Sequence, residues 1–472
     1  MTGQATTAAS TRRAWTIVLA GSASFLVALD LLIVTTALDA IRLDLRTSIT
    51  SLQWVLTAYG VTFACLLLTG AALGDRFGRR RMFAGGVALF AVGSAVAALS
   101  GSIAVLILGR IVEGIGGALI LPVGLTVVTQ AFPPERRGTA IGLLEGVSGL
   151  AVIAGPLLGG AIATWLSWQW IFWINVPFCV VILALAFVVL DESYGQDAAL
   201  DGWGLGLATL AAFALIWGLA RGNEAGWTSA EVVVAFLVGM LAAVGFAVNE
   251  RRAPAPMVPL GFFRSRAFSA GLAASFLLTA SLHSSVFFAA QFFQVAVGTD
   301  PMGAGLRLVP WTATLLVVAP VTGLLADRVG DRPLLLVGLI LRVVGLGWLA
   351  LAAAPDVSYL AVLGPFLVAG VGCSMAIPVS QTVIVGAVPE DAVGKAAGVN
   401  NTFQELGGAL GLAVTVAVFA ATGTVAGPDS FVDGFGPALA AAAALAALGA
   451  VAALAVPRGR RSAAEPVPAD PR

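Results

Sequence analysis

The feature that most restricts this chain is a succession of apolar runs, each about 20 residues long, continuing almost from one end to the other. Such a run crosses the hydrocarbon core of a bilayer as a helix, because backbone groups in lipid must bond to one another. With 59% hydrophobic and 11% charged residues across 472, a soluble multidomain fold is excluded. The expected fold is all-α and polytopic, with membrane lipid as its solvent. Cys65, Cys179 and Cys373 lie inside apolar runs without metal or disulfide spacing, so they read as packing residues.

Runs and breakers place spans near 14–38, 51–72, 82–100, 102–124, 139–163 and 169–190. Two more fall near 203–220 and 229–249, and six near 267–291, 302–325, 333–353, 357–380, 396–420 and 432–456. That makes about fourteen helices. The distribution of arginine supports the count. With the amino-terminus in the cytoplasm, inside segments collect Arg12, Arg13, Arg76, Arg79, Arg80, Arg81, Arg136, Arg137, Arg251, Arg252, Arg264, Arg266, Arg328, Arg332 and Lys395. Outside links hold Arg42, Arg46 and Arg221. The expected organisation is a cytoplasmic tail (1–13), a six-helix bundle (14–190), a two-helix insert with its links (191–266), a second six-helix bundle (267–456) and a polar, disordered tail (457–472), both ends cytoplasmic. Two parallel-related halves with a site between them are one architecture of secondary transporters.

Within this frame the link Gly74-Asp75-Arg76-Phe77-Gly78-Arg79-Arg80-Arg81 stands out. Its arginines cannot remain in hydrocarbon, so the sequence predicts a tight, water-exposed turn. Asp75 is suited to bond helix-start amides, and the arginines to meet helix carboxy-termini or lipid phosphate. An echo, Ala326-Asp327-Arg328-Val329-Gly330-Asp331-Arg332, recurs in the second half. A plain basic anchor loop would explain the arginines but not the shared Asp-Arg-x-Gly core.

Several chemistries are absent from the sequence. A phosphate loop needs Gly-Lys followed by Ser or Thr, whereas the only lysine, Lys395, precedes Ala396. No nucleotide, nucleic acid, metal or cofactor is expected, and no nucleophile triad points to an enzyme. The informative residues are ionisable ones inside spans, each costing at least about 2.5 kcal/mol at mid-bilayer unless paired or solvated. They are Asp30, Arg110, Glu113 and Glu145 in the first half, and His283, Arg307, Arg342 and Glu405 in the second. A desolvated carboxylate can exchange a proton near neutral pH, whereas arginine serves as a fixed counter-charge. Arg110 and Glu113 share a helix face, so local pairing competes with proton coupling for them. Asp30 has no opposite charge at helical spacing, which favours a functional role in coupling or cation recognition. Arg307 and Arg342 are expected to snorkel towards the surface, and His283 to be a packing residue. Gly155, Pro156, Gly159 and Gly160 form a cluster suited to a bend sealing the seam between halves.

With these residues in place, the chain resembles the major facilitator superfamily, and within it the fourteen-helix drug:proton antiporters. Gly74 to Arg80 is similar to the signature of the loop between helices two and three, with Ala71 where the family's leading glycine stands. Leu29-Asp30 through Ala37-Leu38 resembles the first-helix signature, closing on Asp39 instead of proline. Leu108-Gly109-Arg110-Ile111-Val112-Glu113-Gly114 resembles the fourth-helix signature implicated in proton transfer, with Glu113 for the usual glutamine. Gly155-Pro156-Leu157-Leu158-Gly159-Gly160 is similar to the fifth-helix antiporter signature. Trp168 to Pro177 resembles the segment after it, with Gln169 for arginine. The resemblance implies alternating access in the plasma membrane and export of small amphipathic, often cationic, compounds in exchange for protons. Asp30, Arg110, Glu113, Glu145 and Glu405 are then candidates for proton coupling or substrate contact. Gly74, Asp75, Arg76, Gly78, Arg79, Arg80, Asp327 and Arg328 are candidates for conformational switching. Transport of a defined metabolite, such as a sugar, amino acid or siderophore, is the alternative on the same fold. A membrane sensor is disfavoured, since no sizeable soluble domain would receive its signal.

Overall fold

The computed structural model describes residues 2–47, 49–133, 136–195, 201–253, 256–299, 301–355 and 357–458. The first half contains α1 (Thr2–Ile33), a short α2 (Leu38–Asp44), α3 (Ile49–Phe77), α4 (Arg79–Ala98), α5 (Ile103–Ala131), α6 (Arg137–Trp165), α7 (Trp170–Trp173) and α8 (Asn175–Val189). The insert is α9 (Gly202–Ala225) and α10 (Ala230–Glu250). The second half is α11 (Arg266–Gln291), α12 (Pro301–Val329), α13 (Asp331–Ala352), α14 (Tyr359–Gly386), α15 (Val393–Thr422) and α16 (Pro428–Leu454). Among the described residues 13 helical spans are long and apolar enough to cross a membrane, α7 and α8 together forming one of them. The 29-residue α6 lies in the same bundle beside them. The expected set of spans is therefore present, although α1 already starts at Thr2 and α9 runs well past the short span predicted for it.

The two halves repeat one packing plan. The pairs α4–α5, α3–α5, α1–α6, α4–α8 and α1–α8 recur as α13–α14, α12–α14, α11–α15, α13–α16 and α11–α16. Even the register repeats. Gly78 and Gly330 separate consecutive helices with φ of 101° and 95°, a left-handed geometry that favours glycine. Gly86 of α4 lies against the Gly116 carbonyl as Gly338 of α13 lies against that of Gly372, so backbones touch where a Cβ would collide.

Contacts between halves concentrate at the end bearing the arginine-rich link. There α6 runs along α12 and α3 along α15. A Cβ on Gly142 would come within 2.5 Å of the Ala319 carbonyl, and one on Gly398 within 2.6 Å of the Ala71 Cβ. Arg137 pairs with Glu390 at 2.6 Å. The apolar cores at the opposite end, around Phe172 in the first half and Phe292 and Phe435 in the second, each stay within their own half. The structure is thus shut at the arginine end.

The insert does not stand apart. Helix α9 lies across the α3–α15 seam, placing Thr209, Ile216 and Asn223 on one stripe at two-turn intervals. Thr209 shares a 3.2 Å hydroxyl hydrogen bond with Thr69 of α3, Asn223 Nδ2 donates to the Ala413 carbonyl of α15 at 3.0 Å, and Ile216 packs on Val61 and Ala64. The connector beyond α10 is likewise docked. Met257, Val258 and Phe262 are buried against α15, Glu250 accepts from the Val258 amide, and Lys395 donates to the Pro256 carbonyl.

Candidate functional site

The site is built inside the first half. Asp30 on α1, Ser94 on α4, Arg110 and Glu113 on α5, and Asn175 at the start of α8 are all 0% exposed, with Tyr59 of α3 at 1%. Arg110 Nη1 donates to Glu113 Oε2 at 2.6 Å and to Asp30 Oδ2, while its Nε donates to the Val55 carbonyl at 3.2 Å. Ser94 Oγ donates to Glu113 Oε1 at 2.6 Å, and Asn175 Nδ2 donates to Asp30 Oδ1 at 2.9 Å. The guanidinium lies over the Tyr59 ring, 4.2 Å from its centre, and Tyr59 donates its hydroxyl to the Val27 carbonyl.

The local pairing expected of Arg110 is present, together with a contact to another helix. It pairs with Glu113 one turn along its own helix, and it also supplies the opposite charge that Asp30 lacks at helical spacing within α1. Sequence reasoning did not identify Ser94, Asn175 and Tyr59 as members. Asn175 was within reach, because it stands in the Trp168–Pro177 segment, where the chain breaks between α7 and α8 and points the amide inward.

The other candidates lie elsewhere. Glu145 of α6 accepts from Gln381 Nε2 of α14 at 3.0 Å, a hydrogen bond across the seam. Glu405 of α15 is half-buried and makes no hydrogen bond or ion pair among the described residues. The His283 ring packs directly on Gly408. Arg307 stands over the Phe293 ring. Arg342 does not snorkel: it is 0% exposed and bonded to Ser281 and Ser285. It sits mid-helix and its side chain turns into the bundle, too far from either end to reach water.

The arginine-rich link also differs from the water-exposed turn expected of it. Asp75 and Arg76 belong to the last turn of α3, Arg79 opens α4, and Gly78 alone separates the helices. Asp75 and Arg79 are 4% and 1% exposed, paired at 2.7 Å. They are buried because two segments cover them. Residues 193–195 accept from the Arg79 amide and donate to the Asp75 carbonyl, while Gly394, in the first turn of α15, lies against the Asp75 carboxylate. That places a carboxylate at the positive end of a helix belonging to the other half. Arg80 pairs with Glu192 and its Nη1 donates to the Leu190 carbonyl at the carboxy-terminus of α8, Gly74 packs on Val123 of α5, and Arg76 stands beside the Phe77 ring. In the echo, Arg328 is exposed, and the Asp327 side chain lies outside the described residues.

Within the glycine-proline cluster, Gly155 is not at the seam. Gly155 packs against Leu32 of α1, inside the first half, whereas the seam is made by Gly142, Gly146 and Gly149 against α12. Gly159 is buried, and the side-chain positions of Pro156 and Gly160 lie outside the described residues.

Comparison with known proteins agrees with this geometry. The family model described as Major Facilitator Superfamily matches residues 20–412 and 270–471. The tetracenomycin C resistance and export protein of Streptomyces glaucescens is 35% identical over 405 residues, covering 85% of this chain and 75% of that protein. The cephamycin export protein CmcT of Amycolatopsis lactamdurans is 36% identical over 431 residues, covering 89% and 88%. Among solved structures, the proton:xylose symporter XylE bound to 6-bromo-6-deoxy-D-glucose superposes with a TM-score of 0.66 at 16% identity, covering 94% of this chain and 95% of that one, a likeness of fold. Repeated half-bundles, the buried link and the length of these matches lead to one assignment: the chain belongs to the Major Facilitator Superfamily.

Proposed function

We propose that the chain exports small amphipathic drugs or antibiotics across the plasma membrane in exchange for protons, by alternating access between bundles 14–190 and 267–456. The observation that carries the reading is the closed Asp30–Arg110–Glu113 cluster. Two carboxylates share one guanidinium in a site sealed from water, so charge balance is met when the carboxylate pair holds one proton. A cationic compound or a water file reaching Asp30 would favour its ionised form and expel that proton, linking the two fluxes through one carboxylate. The names of the relatives, two of them antibiotic export proteins, support the cargo class.

In this reading the arginine end faces the cytoplasm and both termini lie there. Asp75 and Arg79, with Gly74, Arg76, Gly78 and Arg80, form the switch that holds that end shut against α15, and Asp327 and Arg328 are its counterparts in the echo. Gly155 connects the seam helix α6 to α1 one half-turn beyond Asp30, so movement of the seam reaches the proton site, and the reading extends to Pro156, Gly159 and Gly160 as parts of the same motif. Glu145 and Glu405 act along the path between the halves. Vesicles under an imposed pH gradient provide the test: Asp30→Asn, whose amide cannot ionise, should reach the membrane yet lose uphill drug efflux. Undiminished uphill efflux by that variant would remove Asp30 from the mechanism.

A further inference from the structure

The second half carries a buried arginine without an acid. Arg342 of α13 is 0% exposed; Nε donates to Ser281 Oγ at 2.9 Å and Nη2 to Ser285 Oγ at 2.6 Å, both serines on α11. Nη1 is buried and meets no acceptor, and no ion pair reaches the guanidinium among the described residues. An arginine cannot shed its proton to relieve this cost, and two hydroxyl dipoles do not replace a counter-charge.

The internal repeat shows what is missing. Trp311 precedes Asp327 by the same number of residues as Tyr59 precedes Asp75, and Arg342 stands 5.9 Å from the Trp311 ring as Arg110 stands over Tyr59. Gly93 packs on the Glu113 amide and Gly345 on that of Ala369, so the places of Arg110 and Glu113 are taken in the second half by Phe366 and Ala369. Each half thus holds a guanidinium beside an aromatic ring at corresponding depth. The first neutralises it with Asp30 and Glu113. Among the described residues the second supplies the Arg342 guanidinium with two hydroxyls, those of Ser281 and Ser285.

We propose that Arg342, with Ser281 and Ser285, is a binding site for a small monovalent anionic group. That group is either chloride from solution or the acidic group of an organic compound. The site repels cations, so its polarity is opposite to that of the Asp30 cluster. If the export reading holds, a compound bearing an acidic group would engage the second half through Arg342, but the anion site itself does not depend on coupling.

The test reads stability rather than flux, so its failure and that of proton-coupled export are distinguishable. Full-length protein in nanodiscs is unfolded thermally in sodium sulfate, whose divalent anion lies outside the proposed class, with sulfate replaced stepwise by chloride or by benzoate at fixed pH and ionic strength. Wild type should show a saturating rise in Tm of about 2–4 °C with at least one of the two. A response to chloride alone assigns the site to an inorganic ion, and one to benzoate alone assigns it to an organic acid. Arg342→Gln should flatten the response. Ser281→Asp, which gives the arginine an internal carboxylate, should also flatten it while raising the baseline Tm, and this arm stands even if Arg342→Gln does not fold. No rise in wild type with either anion, or an unchanged rise in Ser281→Asp, would overturn the proposal.

Discussion

At the scale of single residues, the first-half cluster is held by one guanidinium, and the consequence of removing each member follows from the charge left behind. Arg110→Leu leaves two carboxylates buried together and should destabilise the protein by about 3–5 kcal/mol, read as a fall in the thermal unfolding midpoint. Asp30→Asn leaves an uncharged amide beside Arg110 and Asn175 and should unfold close to wild type, so its transport defect would not be a folding defect. An Arg110→Leu protein as stable as wild type would mean that the cluster is not a closed charge network. Asp30, Arg110 and Glu113 were legible in the sequence because a charge in an apolar run has few structural excuses. Ser94, Asn175 and Tyr59 were not, because neutral polar residues are tolerated in membrane helices and nothing along the chain says which face meets Asp30.

At the scale of helices, two seams join the halves and they are built differently. Between α6 and α12 the backbones touch through glycine, so added bulk acts directly on closure. Gly142→Leu should force the arginine end apart, and a cysteine placed at Thr139 should then label faster with a membrane-impermeant maleimide in a background lacking Cys65, Cys179 and Cys373. Labelling at the wild-type rate would show that this seam is not what shuts that end. The α3–α15 seam is covered by α9 instead. Thr69→Cys with Thr209→Cys should form a disulfide under mild oxidation, given hydroxyls 3.2 Å apart, and failure to cross-link in native membranes would displace α9 from the seam. Helix positions were readable from apolar length. The lateral position of α9 was not, because Thr209, Ile216 and Asn223 look like any mixed stripe until the helices they meet are known.

At the scale of the molecule, orientation can be tested by labelling the links: in the same cysteine-free background, Gly226→Cys should react with an impermeant reagent from outside intact cells and Arg251→Cys should not. The reverse pattern would invert the protein. Length and polarity of the apolar runs alone determined that the chain is an all-helical membrane protein of about fourteen spans, because a continuous apolar run of about 20 residues matches the bilayer as a helix that bonds its own backbone, and not as a barrel strand. The Asp-Arg-x-Gly echo likewise revealed the duplication, since a turn that needs positive φ selects glycine wherever it recurs. Only the tertiary structure decided that Asp75 and Arg79 are buried, that Gly155 faces α1 instead of the seam, and that Arg342 turns into the bundle. A charged side chain near a helix end is equally compatible with water, with lipid headgroups or with a partner from another helix. Which one wins is set by the segment that packs over it, and that segment lies far away along the chain.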